Sequence, residues 1–313
     1  MDFPSRFLLA IGLALFSAAA SGHAVTIVWA PTEFANVQSR HGALLVPVEF
    51  GATRCLMQVD TAAVETVFYP GSLSSGDIEQ HDDFVEVRSM AIGGVAVART
   101  RFSLFKGQLF DSRPEPCSAS HPDVLVGTIG LNAFDGNSIA IDMQASTFEV
   151  VPLSAPDPAL RGATILPFAT LRGVDGSMPI LQARGESGRQ YTLLLDTGSA
   201  PIATLFYRER AWLAETNFAT RSQPFNIVRW GHEATCRLGD GVLDIAGQPT
   251  NVSASDRIVY CAMSGETIAD GNQMDGLIGL RPFETRKLTI DFVKRRVVVE
   301  PSVLSAAGQE RVN

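Results

Sequence analysis

Two aspartates, Asp60 and Asp196, each close an apolar run and each precede a threonine, in LMQVDTAA over residues 56–63 and LLLDTGSA over residues 193–200. A lone carboxylate in such a place is costly to keep charged and needs hydrogen-bond donors or a chemical task. Two that share a site cannot both ionise cheaply. One keeps a proton while the other is charged, so the pair supplies a general acid and a general base together. Such a pair can activate a water for attack on an amide carbonyl and protonate the departing nitrogen, with no covalent intermediate. The hydroxyls of Thr61 and Thr197 can brace the opposite loop, and a glycine after the threonine, as at Gly198, lets backbone approach a carboxylate closely.

The elements that must position the two acids are duplicated. Residues 127–150 and 276–299 align without a gap, so that Gly127, Ile129, Gly130, Leu131, Phe134, Ile141, Asp142 and Val150 meet Gly276, Ile278, Gly279, Leu280, Phe283, Ile290, Asp291 and Val299. Upstream, residues 43–68 and 177–206 each hold a strand-like run beginning around a proline, a glycine-containing turn and a second run ending in Asp-Thr. Residues 84–105 alternate around a Gly-Gly turn, residues 236–250 read as short hairpins, and the best short helix is FYRERAWLAE at 206–215. The chain is therefore expected to be mainly β and built of two similar halves, each delivering one aspartate. Asp142 and Asp291 are expected to tie local backbone or meet an arginine, and Gly130 and Gly279 to be packing glycines behind the active loops.

Composition narrows the function classes. A chain of 313 residues, 46% hydrophobic, can form two domains with real cores. A formal charge of -8 and a pI near 5.2 argue against nucleic acid as a partner. Residues 1–24 hold one positive charge at Arg6, an apolar stretch from Phe7 to about Ala20 and small residues at Gly22 and Ala24, the layout of a signal peptide cleaved near Ala24. An uncleaved anchor is the alternative; after signal removal no stable membrane span is expected. Four cysteines in an exported chain allow three pairings, and their positions favour Cys55 with Cys117 and Cys236 with Cys261 over buried free thiols. The five histidines show no metal-ligand spacing, so neither a metal nor another cofactor is expected.

On these residues the sequence resembles the pepsin-like and retropepsin-like aspartic proteases, in the bacterial-type form with both lobes on one chain. In that family each lobe carries an Asp-Thr/Ser-Gly turn at a strand end and, later, two apolar residues followed by glycine. The second half has LIG at 277–279; the first has TIG at 128–130, with Thr128 in place of the first apolar residue. The resemblance implies a bilobal acid-protease-like fold, mainly β, with two homologous β-barrel lobes and a cleft between them. It makes Asp60 and Asp196 the catalytic pair of an aspartic endopeptidase, Thr61 and Thr197 their braces, and polypeptide or peptide the substrate. Ser199 could donate to Asp196, whereas Ala63 cannot donate to Asp60, so Asp196 is expected to carry the charge and Asp60 the proton.

The first half departs from the family at Ala62, where glycine stands elsewhere. No tyrosine lies between Tyr69 and Tyr191 to serve as the pepsin-type flap tyrosine, so a flap near 84–100 would have Gly93-Gly94 as its tip. The expected organisation is a signal at 1–24, lobes at 25–155 and 156–301, and a polar tail at 302–313, in a periplasmic or secreted monomer. A peptide-binding pseudoprotease of the same fold is the alternative. Serine hydrolysis is weaker still, because there is no GxSxG elbow and no supported triad.

Overall fold

Two sheets of the same strand order carry the two aspartates. The computed structural model describes residues 22–34, 37–73, 76, 78–106, 116–134, 136–153, 162–170, 178–229, 232–250, 257–263 and 274–301. Residues 1–21 of the segment expected to be a signal, the expected lobe junction at residues 155 and 156 and the expected tail 302–313 lie outside the described residues.

The first sheet runs, neighbour by neighbour, through Ile78–Gln80, Phe84–Val87, Arg101–Leu104, Val67–Phe68, Leu125–Ile129, Thr53–Val59, Val37–Phe50, Ala91–Ile92 and Val95–Ala96. The second runs through Phe225–Arg229, His232–Gly239, Ile258–Met263, Thr204–Phe206, Gly276–Ile278, Gln190–Leu195, Ile180–Gly185, Leu243–Ile245 and Gln248–Pro249. Along these nine-strand paths each strand has its counterpart at the same place in the other sheet, which is the duplication seen in the sequence written as topology; the first sheet has one strand more, Val28–Phe34, which pairs with Val37–Phe50 off the path. In both, the strand that ends at the aspartate lies parallel to the strand of the later glycine motif: Val59 faces Ile129, and Leu195 faces Ile278. Such central strands are covered on both faces, which is why LLL at 193–195 is continuously apolar and fully buried.

A third sheet joins the halves in the order Val25–Thr26, Thr147–Val151, Ser138–Asp142, Arg286–Asp291, Arg296–Pro301 and Thr164–Pro167. At its centre the two repeated units meet edge to edge, Ile139 opposite Ile290 and Ile141 opposite Leu288. Asp142 accepts from the Ala145 amide and Asp291 from the Lys294 amide, both at 2.9 Å, and Arg296 reaches Asp291 at 3.4 Å. These two repeated acids are turn-forming, as expected.

The lobes are open strand paths; among the described residues no sheet closes into the expected barrel. Each half has one disulfide, Cys55–Cys117 and Cys236–Cys261. The latter joins residues directly opposite on neighbouring antiparallel strands. The one α-helix among the described residues, Glu209–Glu215, buries Trp212 against the second lobe. No described helix is long and apolar enough to cross a membrane.

Candidate active site

The Thr53–Val59 strand delivers Asp60 and the Gln190–Leu195 strand delivers Asp196, with side chains 5% and 1% exposed. Each aspartate is pinned from behind in the same way: the Asp60 amide donates to the Ile129 carbonyl at 3.0 Å and the Asp196 amide to the Ile278 carbonyl at 2.9 Å. The glycines that follow, Gly130 and Gly279, lie under the loops. A Cβ on Gly279 would come within 2.0 Å of the Ser199 carbonyl oxygen, and one on Gly130 within 2.8 Å of that of Ala63. They are packing glycines, because only a bare backbone fits there.

The two loops grip each other through the fully buried Thr61 and Thr197. The Thr61 amide donates to Thr197 Oγ1 at 3.0 Å and the Thr197 amide to Thr61 Oγ1 at 3.1 Å. Each hydroxyl donates in turn across the boundary, Thr61 to the Leu195 carbonyl at 2.5 Å and Thr197 to that of Val59 at 2.9 Å. Four hydrogen bonds thus lock the loops: two join the residues after the aspartates to each other, and two tie each of them to the residue before the opposite aspartate.

Gly198 shows how close the acids come. A Cβ built there would lie 2.7 Å from both Cγ and Oδ2 of Asp60 and 3.1 Å from Oδ1 of Asp196. Both carboxylates therefore converge on one small volume. Ala62, the counterpart of Gly198, fits because its backbone is not in the positive-φ region. Its amide still donates to Asp60 Oδ1, at 2.8 Å. The donors differ on the other side: Asp196 accepts from the Ser199 amide at 3.2 Å and from the Ser199 hydroxyl at 2.7 Å, and Ala63 offers no such hydroxyl to Asp60.

Several neighbours were not evident from the sequence. Gln58, two residues before Asp60 on the same strand, donates through Nε2 to the Gly198 carbonyl of the other lobe at 3.3 Å. Thr128, the departure from the apolar pattern, has its hydroxyl 2.9 Å from that of Tyr69, so a polar side chain is satisfied in the core. Burial pushes the Tyr69 phenol up; the bond to Thr128 acts the other way, and the negative charge of Asp60 adds to the upward push. Asn132 Oδ1 accepts from both the amide and the hydroxyl of Thr66, and Thr66 Oγ1 accepts from the Gly130 amide. That chain fixes the floor of the first loop, and an Asn five residues after Gly127 gave no signal for it.

The Gly93-Gly94 turn does not lie over the acids. Ala91 pairs with Glu49, which pairs with Arg54, six residues before Asp60 and about 20 Å away along an extended strand. The turn packs on the N-terminal segment, with the His23 amide donating to the Gly93 carbonyl at 2.9 Å. Alternation about a Gly-Gly turn located a hairpin correctly but could not say at which end of the sheet it falls. The hairpin at the Asp60 end is formed by Ile78–Gln80 and Phe84–Val87. Phe84 is level with Ser103, Ser103 with Val67, Val67 with Thr128 and Thr128 with Gln58.

The long Val37–Phe50 strand also runs past that end of the sheet, since Leu45 is already level with Gln58. Its His41 reaches the second lobe, Nδ1 lying 2.9 Å from Glu284 Oε1, while Arg281 holds the other oxygen of Glu284 at 2.6 Å. The Trp29 and His41 rings meet edge to face at 4.7 Å.

No protein-family model matches the chain, and no curated protein matches it. Among solved structures it is similar to an aspartic proteinase from Irpex lacteus, with a TM-score of 0.49 and 10% identity over 92% of this chain and 99% of that one.

Proposed function

We propose that the chain is an aspartic endopeptidase that hydrolyses peptide bonds with a water activated between Asp60 and Asp196. The observation that carries this reading is the convergence of two buried carboxylates on Gly198 from loops locked together by Thr61 and Thr197. In the reaction Asp196 is the charged member, favoured by the Ser199 hydroxyl, and Asp60 holds the proton. Asp196 takes a proton from the water as its oxygen attacks the carbonyl carbon, and Asp60 gives its proton to the carbonyl oxygen. As the C–N bond of the resulting tetrahedral species breaks, the nitrogen leaves with a proton from Asp196, and Asp60 recovers one from the gem-diol hydroxyl. The dyad ends as it began.

Each lobe, 25–155 and 156–301, contributes one acid, and the substrate is an extended polypeptide lying across the cleft. The hairpin of residues 78–87 takes the flap position that Gly93 and Gly94 do not. The protein acts as a periplasmic or secreted monomer without a cofactor. Its two disulfides are compatible with an oxidising compartment.

The test is cleavage of a diverse peptide mixture between about pH 3 and 8, beside Asp60→Asn and Asp196→Asn. Loss of cleavage in either variant is the expected result. A folded wild-type protein that cuts nothing across that range overturns the peptidase reading in favour of a peptide-binding pseudoprotease, the reading that the departure at Ala62 favours.

A further inference from the structure

The hairpin of Ile78–Gln80 and Phe84–Val87 gathers three metal-ligating side chains outside the aspartate site. Glu79 and Glu86 stand directly opposite each other on antiparallel strands. Like charges so placed repel unless something positive lies between them. The adjacent cation does not supply it: Arg101 is level with Glu86 on the next strand, but its guanidinium lies over the Phe84 ring at 3.5 Å. His81, two residues after Glu79 and on the same face, turns Nε2 toward Glu79 Oε1 at 3.7 Å. That is too long for a hydrogen bond, and Nε2 is shielded from solvent with no hydrogen-bond partner. One donor atom from each of Glu79, His81 and Glu86 lies within 4.8 Å of the others.

We propose that these three residues bind a divalent transition-metal ion, with Zn2+ the best match. An imidazole nitrogen and two carboxylates are a zinc-type donor set whose charges offset those of the ion, and a water completes four-coordination. Donors around a tetrahedral zinc ion stand about 3.3 Å apart, so atoms within 4.8 Å of one another need close by at most about 1.5 Å. The imidazole is already held. Its ring stacks on Phe84 at 4.2 Å and 20°, Phe84 is capped by Arg101, and the His81 amide donates to the Phe84 carbonyl at 2.9 Å. A ligand whose orientation is fixed in this way loses little freedom on binding. The ion joins the three-residue edge strand to its neighbour and to the turn, so it acts as a staple on the sheet edge. Histidine spacing along the chain gives no sign of this, because Glu86 arrives only through the hairpin pairing. The site stands independently of the peptidase reading.

The test is a calorimetric titration of the chelator-treated full chain with Zn2+ near neutral pH, beside His81→Ala and Glu86→Gln. One ion bound at micromolar affinity or tighter, weakened about tenfold or more in each variant, is expected. Hydrogen exchange of the wild-type chain with and without Zn2+ gives a second readout that needs no variant, with added protection expected over residues 78–87. Absence of saturable Zn2+ binding, binding unchanged in His81→Ala, or protection gained elsewhere and not on this hairpin would overturn the proposal.

Discussion

Thr61 and Thr197 each donate a backbone amide to the other's hydroxyl, at 3.0 and 3.1 Å, and each hydroxyl donates a hydrogen bond to the carbonyl before the opposite aspartate. Valine in place of either keeps the shape but strands one buried amide and one buried carbonyl. Thr61→Val and Thr197→Val are each expected to lower unfolding free energy by about 3 kcal/mol, with serine at the same position retaining most of it. The two hydroxyls serve different partners but lie in one network, so the double variant should depart from the sum by about 0.5–3 kcal/mol. Urea unfolding of the four proteins of the cycle measures this.

Gly198 and Ala62 occupy equivalent places with opposite tolerances. A methyl group on Gly198 would sit 2.7 Å from the Asp60 carboxylate, so Gly198→Ala must push the acids apart and should lower kcat about a hundredfold. Ala62→Gly should leave kcat nearly unchanged and cost about 0.4–1 kcal/mol through a freer unfolded chain. Steady-state kinetics on a peptide substrate, paired with unfolding curves, separates the two effects.

The duplicated frame was legible because its signals are local. The Asp-Thr pairs, the later glycine motifs and the repeated Asp142 and Asp291 lie in short segments whose apolar runs fix strand and turn together. What the sequence did not reveal depends on pairing between distant segments. Gly93 and Gly94 form the tight turn that alternation implies, yet their distance from Asp60 is set by Ala91 pairing with Glu49, which no periodicity encodes. Thr128 read as a weakness in the motif because its partner, Tyr69, is separated from it by most of the first sheet in sequence. Glu86 joins Glu79 and His81 only once the hairpin register is known.

Tyr191 ties stability to alkaline pH. Burial, and then its hydrogen bond to Glu215 at 2.5 Å, pushes its phenol up to about 12, against 10.0 for a free tyrosine. The folded protein thus holds this proton more tightly than the unfolded chain. The resulting stability is fully present below about pH 10 and is lost as pH rises toward 12. Tyr191→Phe removes this dependence along with one of the donors to buried Glu215, leaving the Ser187 amide and hydroxyl. The stability gap between wild type and Tyr191→Phe should be widest at neutral pH and narrow steadily through that window. Urea midpoints at a series of alkaline pH values follow it.

Ser199 and Ala63 make the two acids unequal, and exchanging them tests whether that inequality is used. The Ser199 hydroxyl donates to Asp196 at 2.7 Å, which favours the charged carboxylate. In Ser199→Ala the Asp196 carboxylate loses a hydrogen-bond donor, so kcat/KM should fall. Ala63→Ser places a hydroxyl at the equivalent point beside Asp60, competing for the charge, and should lower activity by blurring which acid keeps the proton. The double exchange, Ser199→Ala with Ala63→Ser, should recover part of the loss by reversing the roles of the acids without equalising them. A profile flat from about pH 3 to 8, or one that Ala63→Ser leaves unaltered, would show that the proton is shared without preference.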